Sequence, residues 1–228
     1  MKRVLKSISK IAWTTTFEGF FRRLEKGAAL WLAICLLGSR SLLAAAPSTL
    51  TWDGGGSDNN INTVTNWNPN LAPGNGDFLI FDGSVRTLPQ LTAALTAGSI
   101  TFNSTAAAFT IGGSQIFSIS SGGIINNSIN DQTFNTPLKL STAQTWMASA
   151  GNLILSGALD KNGKALIIDG SFNTTLAGAV SGGGTFTKNG TGTLTLSGAA
   201  ANTYSAATTV NAGTLVLSKT AGLNAMAV

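Results

Sequence analysis

Beyond residue 46 the sequence has no cysteine, no histidine and no glutamate. These absences exclude a disulfide framework, a zinc or thiolate site and the Ser–His–Asp and Cys–His arrangements of nucleophilic catalysis from that part. Its only acids are seven Asp, none adjacent to another or two residues from another, which leaves no evident carboxylate pair for glycoside hydrolysis. We therefore expect no catalytic residue, no metal site and no cofactor.

Charge is also scarce after Ala46, at 13 of 182 residues. Residues 1–46 hold eight Lys and Arg against two Glu, a net charge of +6, whereas residues 47–228 hold six basic residues against seven Asp, a net charge of −1. The basic pI therefore belongs to the N-terminal segment. A nearly neutral body argues against a nucleic-acid partner, because phosphate binding needs a basic stripe.

Residues 1–46 have the pattern of a secretory signal peptide: a basic start, the apolar stretch 28–37 and then small residues. Arg40 interrupts the apolar stretch well short of the about 20 residues of a spanning helix, although a signal anchor or a buried core helix stays open. We predict cleavage near Ala44 to Ala46. Cleavage after Ala44 is favoured, because Pro47 would directly follow a cut after Ala46. Cys35 is interpreted as an apolar residue of this stretch.

The body predicts short strands that repeat along the chain. Segments such as 152–156, 193–197 and 214–218 alternate apolar and polar residues between Gly or Asn, which is typical of half-buried strands. A row of apolar residues recurs every 20 or 21 positions: Phe134, Leu155, Leu176, Leu196 and Leu217. This period predicts an all-β parallel β-solenoid with coils of about 20–21 residues, in which Gly or Asn takes the corners of positive φ. A β-sandwich is the alternative.

The first part of the body differs in composition. Residues 49–83 hold two of the three Trp and four of the seven Asp that follow Ala46. An open solenoid end recruits other strands unless an atypical segment covers it. We therefore predict an N-terminal β cap over residues 47–97 and solenoid coils over residues 98–228.

Residues 182–217 resemble the autotransporter-associated β-strand repeat. That repeat has a glycine-rich start, then Leu-x-Lys-x-Gly-x-Gly-x-Leu-x-Leu-x-Gly, Asn-Thr-Tyr and Thr-x-Val-Asn-x-Gly-x-Leu, and here Phe186 stands for its first Leu. The matching positions are Gly182, Gly184, Lys188, Gly190, Gly192, Leu194, Leu196, Gly198, Tyr204, Val210, Gly213 and Leu215. The resemblance implies a right-handed β-helix passenger at the cell surface, associated with the outer membrane or released. It implies no activity, because the repeat is a scaffold.

Three sets of residues are candidates for chemistry or binding. Asp160, Lys161, Lys164 and Asp169 are the nearest approach to a lyase-like cluster, although a solvated turn around Asn162-Gly163 is the favoured interpretation. Asp53 with Asp58, or residues 74–77 with Asp82, could offer oxygen ligands to calcium, and turn chemistry is again favoured. Trp52, Trp67 and Trp146 are candidate glycan contacts if exposed, but packing in the core or cap is favoured.

We expect an exported, non-catalytic structural or display protein. An adhesin or glycan-binding protein is the alternative, and a secreted polysaccharide-active enzyme is a lesser one. The expected partners are the general secretion machinery and, for an adhesin, surface glycans or other cells. Contact with the outer membrane is expected only through a barrel that this sequence does not contain. Because the sequence ends just beyond a strand, we favour a fragment of a longer protein over a chain with a separate secretion partner.

Overall fold

The computed structural model describes residues 46–226, so most of the predicted export segment, including Ala44, lies outside the described residues. The chain from Pro47 onward forms one compact unit. Its buried apolar core, from Leu50 to Tyr204, lies wholly in that unit, which therefore has the core needed to fold by itself. The helical element of residues 46–226 is a 3₁₀ turn at Val64–Asn66, and none of their helices is long and apolar enough to cross a membrane.

The described chain is otherwise a series of short strands, which confirms the predicted all-β class. In chain order they are β1 Thr49–Trp52, β2 Trp67–Asn68, β3 Phe78–Phe81, β4 Leu95–Phe102, β5 Thr110–Ile111, β6 Phe117–Asn126, β7 Gln132–Phe134, β8 Leu138–Leu140, β9 Gln144–Ala148, β10 Leu153–Leu155, β11 Leu159–Asp160, β12 Leu166–Gly170, β13 Thr174–Leu176, β14 Val180–Ser181, β15 Phe186–Lys188, β16 Thr193–Gly198, β17 Thr208–Val210 and β18 Thr214–Lys219.

These strands stack in parallel into three faces of a β-solenoid. The long face contains β1, β3, β4, β6, β9, β12, β15 and β17. The second face contains β5, β7, β10, β13, β16 and β18. The third face contains β8, β11 and β14 beside the first residues of β6. The predicted parallel solenoid is therefore confirmed.

The predicted row of apolar residues is confirmed on the second face. Phe134, Leu155, Leu176, Leu196 and Leu217 are successive register partners there, and Ile111 extends the row by one coil. All but Leu217 are at most 3 % exposed. The 20- or 21-residue spacing therefore records one inward position per coil.

Two glycines that follow this row are required for a reason other than positive φ. Gly157 and Gly178 lie outside the left-handed region. A Cβ at Gly157 would overlap the carbonyl of Thr136, and one at Gly178 would overlap the carbonyl of Gly157. Close approach between coils, rather than backbone twist, selects glycine at these two corners. At the corresponding Gly198 φ is 93°.

A ladder of side-chain amides and carboxylates closes the corner before the second face. The Asn152 N–H donates to Asp131 Oδ1 at 3.3 Å, the Asn173 N–H to Asn152 Oδ1 at 3.0 Å, and the Thr193 N–H to Asn173 Oδ1 at 2.9 Å. Each side chain thus satisfies a backbone donor of the following coil. This explains why Asn and Asp recur at the corner with the period of the coil.

The N-terminal coils are continuous with the rest. β1 pairs in parallel with β3, and β3 with β4, so stacking begins at Thr49. The predicted boundary between cap and solenoid at residues 97 and 98 falls inside β4, within one sheet. Only β2 departs from the pattern, because it lies antiparallel to β1. A separate cap module over residues 47–97 stays a prediction.

Candidate functional site

The lysine of the repeat motif points into the solenoid. Inward residues alternate along β15, so Phe186 and Lys188 lie inside and Thr187 lies outside, and Lys188 is 1 % exposed. The Lys188 ammonium donates to the carbonyl of Gly190 and, at 3.4 Å, to that of Ala212 in the next coil. Burial lowers the pKa of Lys188, and the nearby Asp169 carboxylate opposes this shift. The motif lysine therefore joins two coils through their backbone.

The glycines beside this lysine are fixed by the approach of neighbouring coils. A Cβ at Gly190 would overlap the backbone of Gly170, and a Cβ at Gly192 would overlap the carbonyl of Phe172. Gly213 has a φ of 72° and faces the carbonyls of Gly190 and Gly192. The Lys-x-Gly-x-Gly element thus forms a tight corner with a cation bound inside it.

A second lysine, Lys161, is fully buried one coil earlier. Its ammonium donates to the Gly184 carbonyl at 2.6 Å and lies 5.2 Å from the ring centre of Phe186 and 4.8 Å from that of Tyr204. Burial lowers the pKa of Lys161 to about 8. The Tyr204 ring packs edge-on against Phe186 at 5.7 Å, and its hydroxyl lies 2.8 Å from Thr208 Oγ1. The motif tyrosine therefore forms part of a cage around a cation.

The remaining motif positions have structural roles. Leu194 and Leu196 are fully buried inward residues of β16. Gly182, Gly184 and Gly198 take positive φ at corners. In the last described coil Val210 is 44 % exposed, and Leu215 packs partly buried against the core.

The candidate lyase-like cluster is dispersed. The ammonium of Lys161 lies in the interior, while Asp160 Oδ1 accepts the Asn162 N–H at 2.7 Å and Asp169 Oδ1 accepts the Gly170 N–H at 2.7 Å. The Lys164 N–H donates to the Lys161 carbonyl at 2.8 Å and closes the turn. Asp160 and Lys164 are thus used in a turn, whereas Lys161 lies in the core, which the interpretation as a solvated turn did not foresee.

The aspartates of the N-terminal coils are also engaged in turns. Asp77 accepts the backbone N–H groups of Ser48 and Gly74, both at 2.7 Å. Hydrogen bonds from Thr105 and Asn103 lower the pKa of Asp82. Within residues 46–226 no three His, Cys, Asp or Glu residues come together as metal ligands. The calcium hypothesis therefore has no cluster of acids to support it among these residues.

The three tryptophans are interior. Trp52 and Trp67 are fully buried and Trp146 is 2 % exposed. Each indole N–H donates inside the protein, to the Val85 carbonyl, the Ile61 carbonyl and Gln144 Oε1 respectively. None of these rings offers a face to solvent, because all three pack in the core. The glycan-contact hypothesis for Trp52, Trp67 and Trp146 therefore lacks an exposed aromatic surface.

One feature that sequence reasoning missed is an apolar outer strip on the long face. Its members point outward on strands β3, β6, β9 and β12, and they are Phe78, Ile80, Ile125, Met147 and Ile167. Phe78 is 41 % and Met147 36 % exposed, and the other three are half-buried. Ser99 and Thr101 of β4 and Asp169 of β12 stand beside them in the same outward rows. The signal was present as adjacent apolar residues in one strand, such as 124–125 and 166–168, where alternation calls for a polar one.

Part of this outer strip forms the floor of an open groove of about 370 Å³. Ile125, Met147 and Ile167 lie in the floor, and the corners of three coils line it through Gly122, Ala143 and Ala165 among others. All of its lining residues are uncharged. The outward row of the second face is uncharged and holds two aliphatic residues, and that of the third face is polar. Their members are Thr110, Thr133, Ile154, Thr175, Thr195 and Val216 on the second face, and Ser118, Lys139, Asp160 and Ser181 on the third.

Comparison with known families agrees with this architecture. Residues 186–217 match the family model of the passenger-associated-transport-repeat. Comparison with curated proteins and with solved structures gave no match. The matched repeat covers the corner of Lys188, Gly190 and Gly192 and the two strands that follow it on the second face. Repeat and parallel β-solenoid together fit an autotransporter-passenger-like repeat protein.

Proposed function

We propose that this chain is an exported, non-catalytic scaffold of the autotransporter-passenger type, displayed at the cell surface or released outside the cell. The observation that carries this proposal is the coincidence of the matched repeat with consecutive coils of a parallel solenoid. A solenoid grows by adding coils that contact only their neighbours. It therefore extends a chain away from its anchor without needing a catalytic centre.

The use of the charged groups supports a scaffold over an enzyme. The ammonium groups of Lys161, Lys188 and Lys219 all donate to backbone carbonyls between coils. The carboxylates of Asp77, Asp160 and Asp169 accept backbone N–H groups in turns. A general acid or base must instead face a substrate. Turnover of a polysaccharide that is lost on replacing a single Asp would favour the enzyme alternative.

Surface display can be tested with an epitope in the exposed turn at Gly163, where a Cβ would meet no atom within 4 Å. The full chain carrying this epitope is expressed from its natural gene locus in a bacterium that has an outer membrane. We expect antibody staining of intact cells or epitope in the medium. The matched control carries Leu32→Arg in the apolar stretch and should retain the epitope inside. Staining only after lysis in the parent chain would contradict export.

An adhesive role is the second candidate, and the apolar outer strip is the observation that favours it. Exposed apolar surface commonly marks an interaction site, and Ile125, Met147 and Ile167 of the strip lie in one groove. A glycan array separates glycan binding from other adhesion, because Phe78 is the one aromatic ring of the strip and is 41 % exposed. Specific glycan capture by the compact unit from Pro47 onward that persists in Phe78→Ala would show that the binding surface lies elsewhere.

A further inference from the structure

We propose that Asn162-Gly163 is a site of spontaneous covalent modification, at which the asparagine is converted with time into aspartate and isoaspartate. The reaction needs no enzyme, metal or oxidant, because water is its co-reactant. It turns an uncharged side chain of the surface into a carboxylate close to Asp160, whose Oδ1 accepts the Asn162 N–H at 2.7 Å. This inference goes beyond the proposed scaffold function, since it concerns the chemical lifetime of one corner.

The conversion proceeds through a cyclic succinimide. The backbone nitrogen of Gly163 loses its proton and bonds to Cγ of Asn162, the bond from Cγ to Nδ2 breaks, and ammonia leaves. Water then opens the ring. Attack at Cγ gives aspartate with the ordinary backbone, whereas attack at the backbone carbonyl carbon gives isoaspartate, in which the chain runs through Cβ and Cγ. No atom is oxidised or reduced, and glycine favours the first step because no Cβ crowds its nitrogen.

The corner after β11 requires the same dipeptide that undergoes this reaction. The Lys164 N–H donates to the Lys161 carbonyl at 2.8 Å and closes a tight turn. Between these residues φ is 50° at Asn162 and 73° at Gly163. Positive φ at both central positions is typical of a type I′ turn, for which Asn-Gly is a preferred sequence. The backbone conformation therefore explains why a reactive pair stands at this corner.

The reacting atoms of this pair are accessible. Asn162 and Gly163 are both exposed, and a Cβ at Gly163 would meet no atom within 4 Å. Within residues 46–226 the Gly163 N–H donates to no acceptor, and Asn162 Oδ1 accepts from no donor. Asn162 Nδ2 donates to the Leu140 carbonyl at 3.1 Å. This contact holds the group that leaves as ammonia, and it blocks neither the attacking nitrogen nor Cγ.

The sequence contains two further Asn-Gly pairs, and in the first of them, Asn75-Gly76, hydrogen bonds hold both reacting groups. The Gly76 N–H donates to the Thr96 carbonyl at 2.7 Å, and Asn75 Oδ1 accepts the Thr96 N–H at 3.0 Å. Both bonds must break before the nitrogen of Gly76 can approach Cγ. Each bond lost should slow the reaction about two- to tenfold.

The second further pair, Asn189-Gly190, is held by the neighbouring coils. Asn189 Oδ1 accepts Asn211 Nδ2 of the following coil at 2.8 Å. A Cβ at Gly190 would overlap the backbone of Gly170 in the preceding coil, so the two backbones are in close contact. Ring closure requires the peptide between Asn189 and Gly190 to rotate, and this rotation would separate the coils.

Incubation of the compact unit from Pro47 onward, followed by peptide mass spectrometry, tests this proposal with the Asn-Gly pairs of one molecule as mutual controls. In the folded protein we expect Asn162 to convert about tenfold or more faster than Asn75 and Asn189. In guanidinium chloride the three residues should convert at similar rates. Equal rates in the folded protein would overturn the proposal. A product that contains aspartate but no isoaspartate would overturn the succinimide route.

A variant without the reactive carboxamide gives a second readout. Each converted molecule carries an additional negative charge and separates from the parent by anion exchange. Asn162→Gly keeps a residue that tolerates positive φ and should abolish the acidic form that accumulates first, whereas the matched control Asn189→Gly should retain it. Circular dichroism must show the parent β-signal for both variants, and if it is lost the rates in the parent protein decide. The acidic form accumulating at the parent rate in folded Asn162→Gly would overturn the assignment.

Discussion

The first coils and the last coils of the solenoid fill their interiors with different side chains. At the N-terminal end the rings of six aromatic residues form one continuous group with centroid distances of 5.2–6.2 Å. They are Trp52, Trp67, Phe81, Phe102, Phe109 and Phe134. At the C-terminal end the interior consists of aliphatic rows, the pair Phe186–Tyr204 and two buried lysines.

This difference shows how repeat and fold are related. Aliphatic rows with lysine corners can recur in each coil, because each residue contacts the same position of its neighbour. Large rings interlock in individual ways, so a coil built from them shares little sequence with the next. The matched repeat is accordingly found where the interior is periodic, although parallel stacking begins at Thr49.

Breaking the aromatic group should have the largest effect. Trp67 is fully buried, packs edge-on against Trp52 at 5.2 Å and donates to the Ile61 carbonyl at 2.7 Å. We expect Trp67→Ala to lower the free energy of unfolding by about 3–5 kcal/mol, measured by urea denaturation of the compact unit. Leu71→Ala is the control, because Leu71 is 50 % exposed and should change stability by less than about 0.5 kcal/mol. Equal losses would mean that the aromatic group is not a common core.

The periodic rows should be the next most sensitive. Leu196 is fully buried between Leu176 and Leu217. We expect Leu196→Ala to lower the free energy of unfolding by about 2–4 kcal/mol, since a buried methyl cluster is lost and a cavity remains. The same change at Leu217 removes a side chain that is 50 % exposed and should cost clearly less. A loss at Leu217 as large as at Leu196 would contradict the burial gradient along the row.

The sequence was sufficient for the second face and insufficient for the first coils, for the same physical reason. Spacing identified the row from Phe134 to Leu217 because every coil repeats it. It could not place Trp52 against Trp67, since these residues meet through an antiparallel pair that occurs once. Lys188 was assigned from the sequence only to the motif, and its place in the core was not foreseen. Its acceptors are the backbone carbonyls of Gly190 and Ala212, and the sequence of side chains does not reveal such acceptors.

The candidate sites show the same limit. Burial of the three tryptophans follows from packing between coils, which composition does not reveal. The outer strip depends on which of two adjacent apolar residues faces outward, as at Trp146 and Met147. That choice is fixed by the register of β9 with β6 and β12. Only the stacked strands show that Ile125 and Met147 are neighbours across 22 residues of sequence.

The cation in the C-terminal interior makes stability depend on pH. The pKa of Lys161 falls to about 8 on folding from an ordinary value of 10.5, because burial disfavours the charged form. The unfolded chain therefore holds more protons between about pH 8 and 10.5, and stability rises with pH across this window. Lys161→Met removes the titrating group. Relative to this variant, we expect the free energy of unfolding of the parent to rise on the order of 2–3 kcal/mol between pH 7.5 and pH 10.5.

Urea denaturation at pH 7.5, 9 and 10.5 measures this gain. Subtracting the Lys161→Met curve removes the titration of the other lysines and of tyrosine. A difference between parent and variant that does not change with pH would show that the ammonium is not desolvated. If the free energy of unfolding of the parent minus that of the variant falls as pH rises, the Gly184 carbonyl and the two rings stabilise the charged ammonium better than water does.

The smallest effect should come from the motif lysine, where two opposing changes nearly cancel. Lys188→Met keeps an unbranched side chain in the interior and removes a desolvated charge, which is stabilising. It also leaves the carbonyls of Gly190 and Ala212 without the donor they have now, which costs about 1–3 kcal/mol. We expect a net loss of about 1 kcal/mol in urea denaturation. Lys139→Met is the control, since its exposed ammonium lies 3.8 Å from Asp160 and such pairs contribute little. A more stable Lys188→Met protein would mean that the cost of burying the cation exceeds its hydrogen bonds. The repeat would then keep this lysine for a purpose other than holding its coils together.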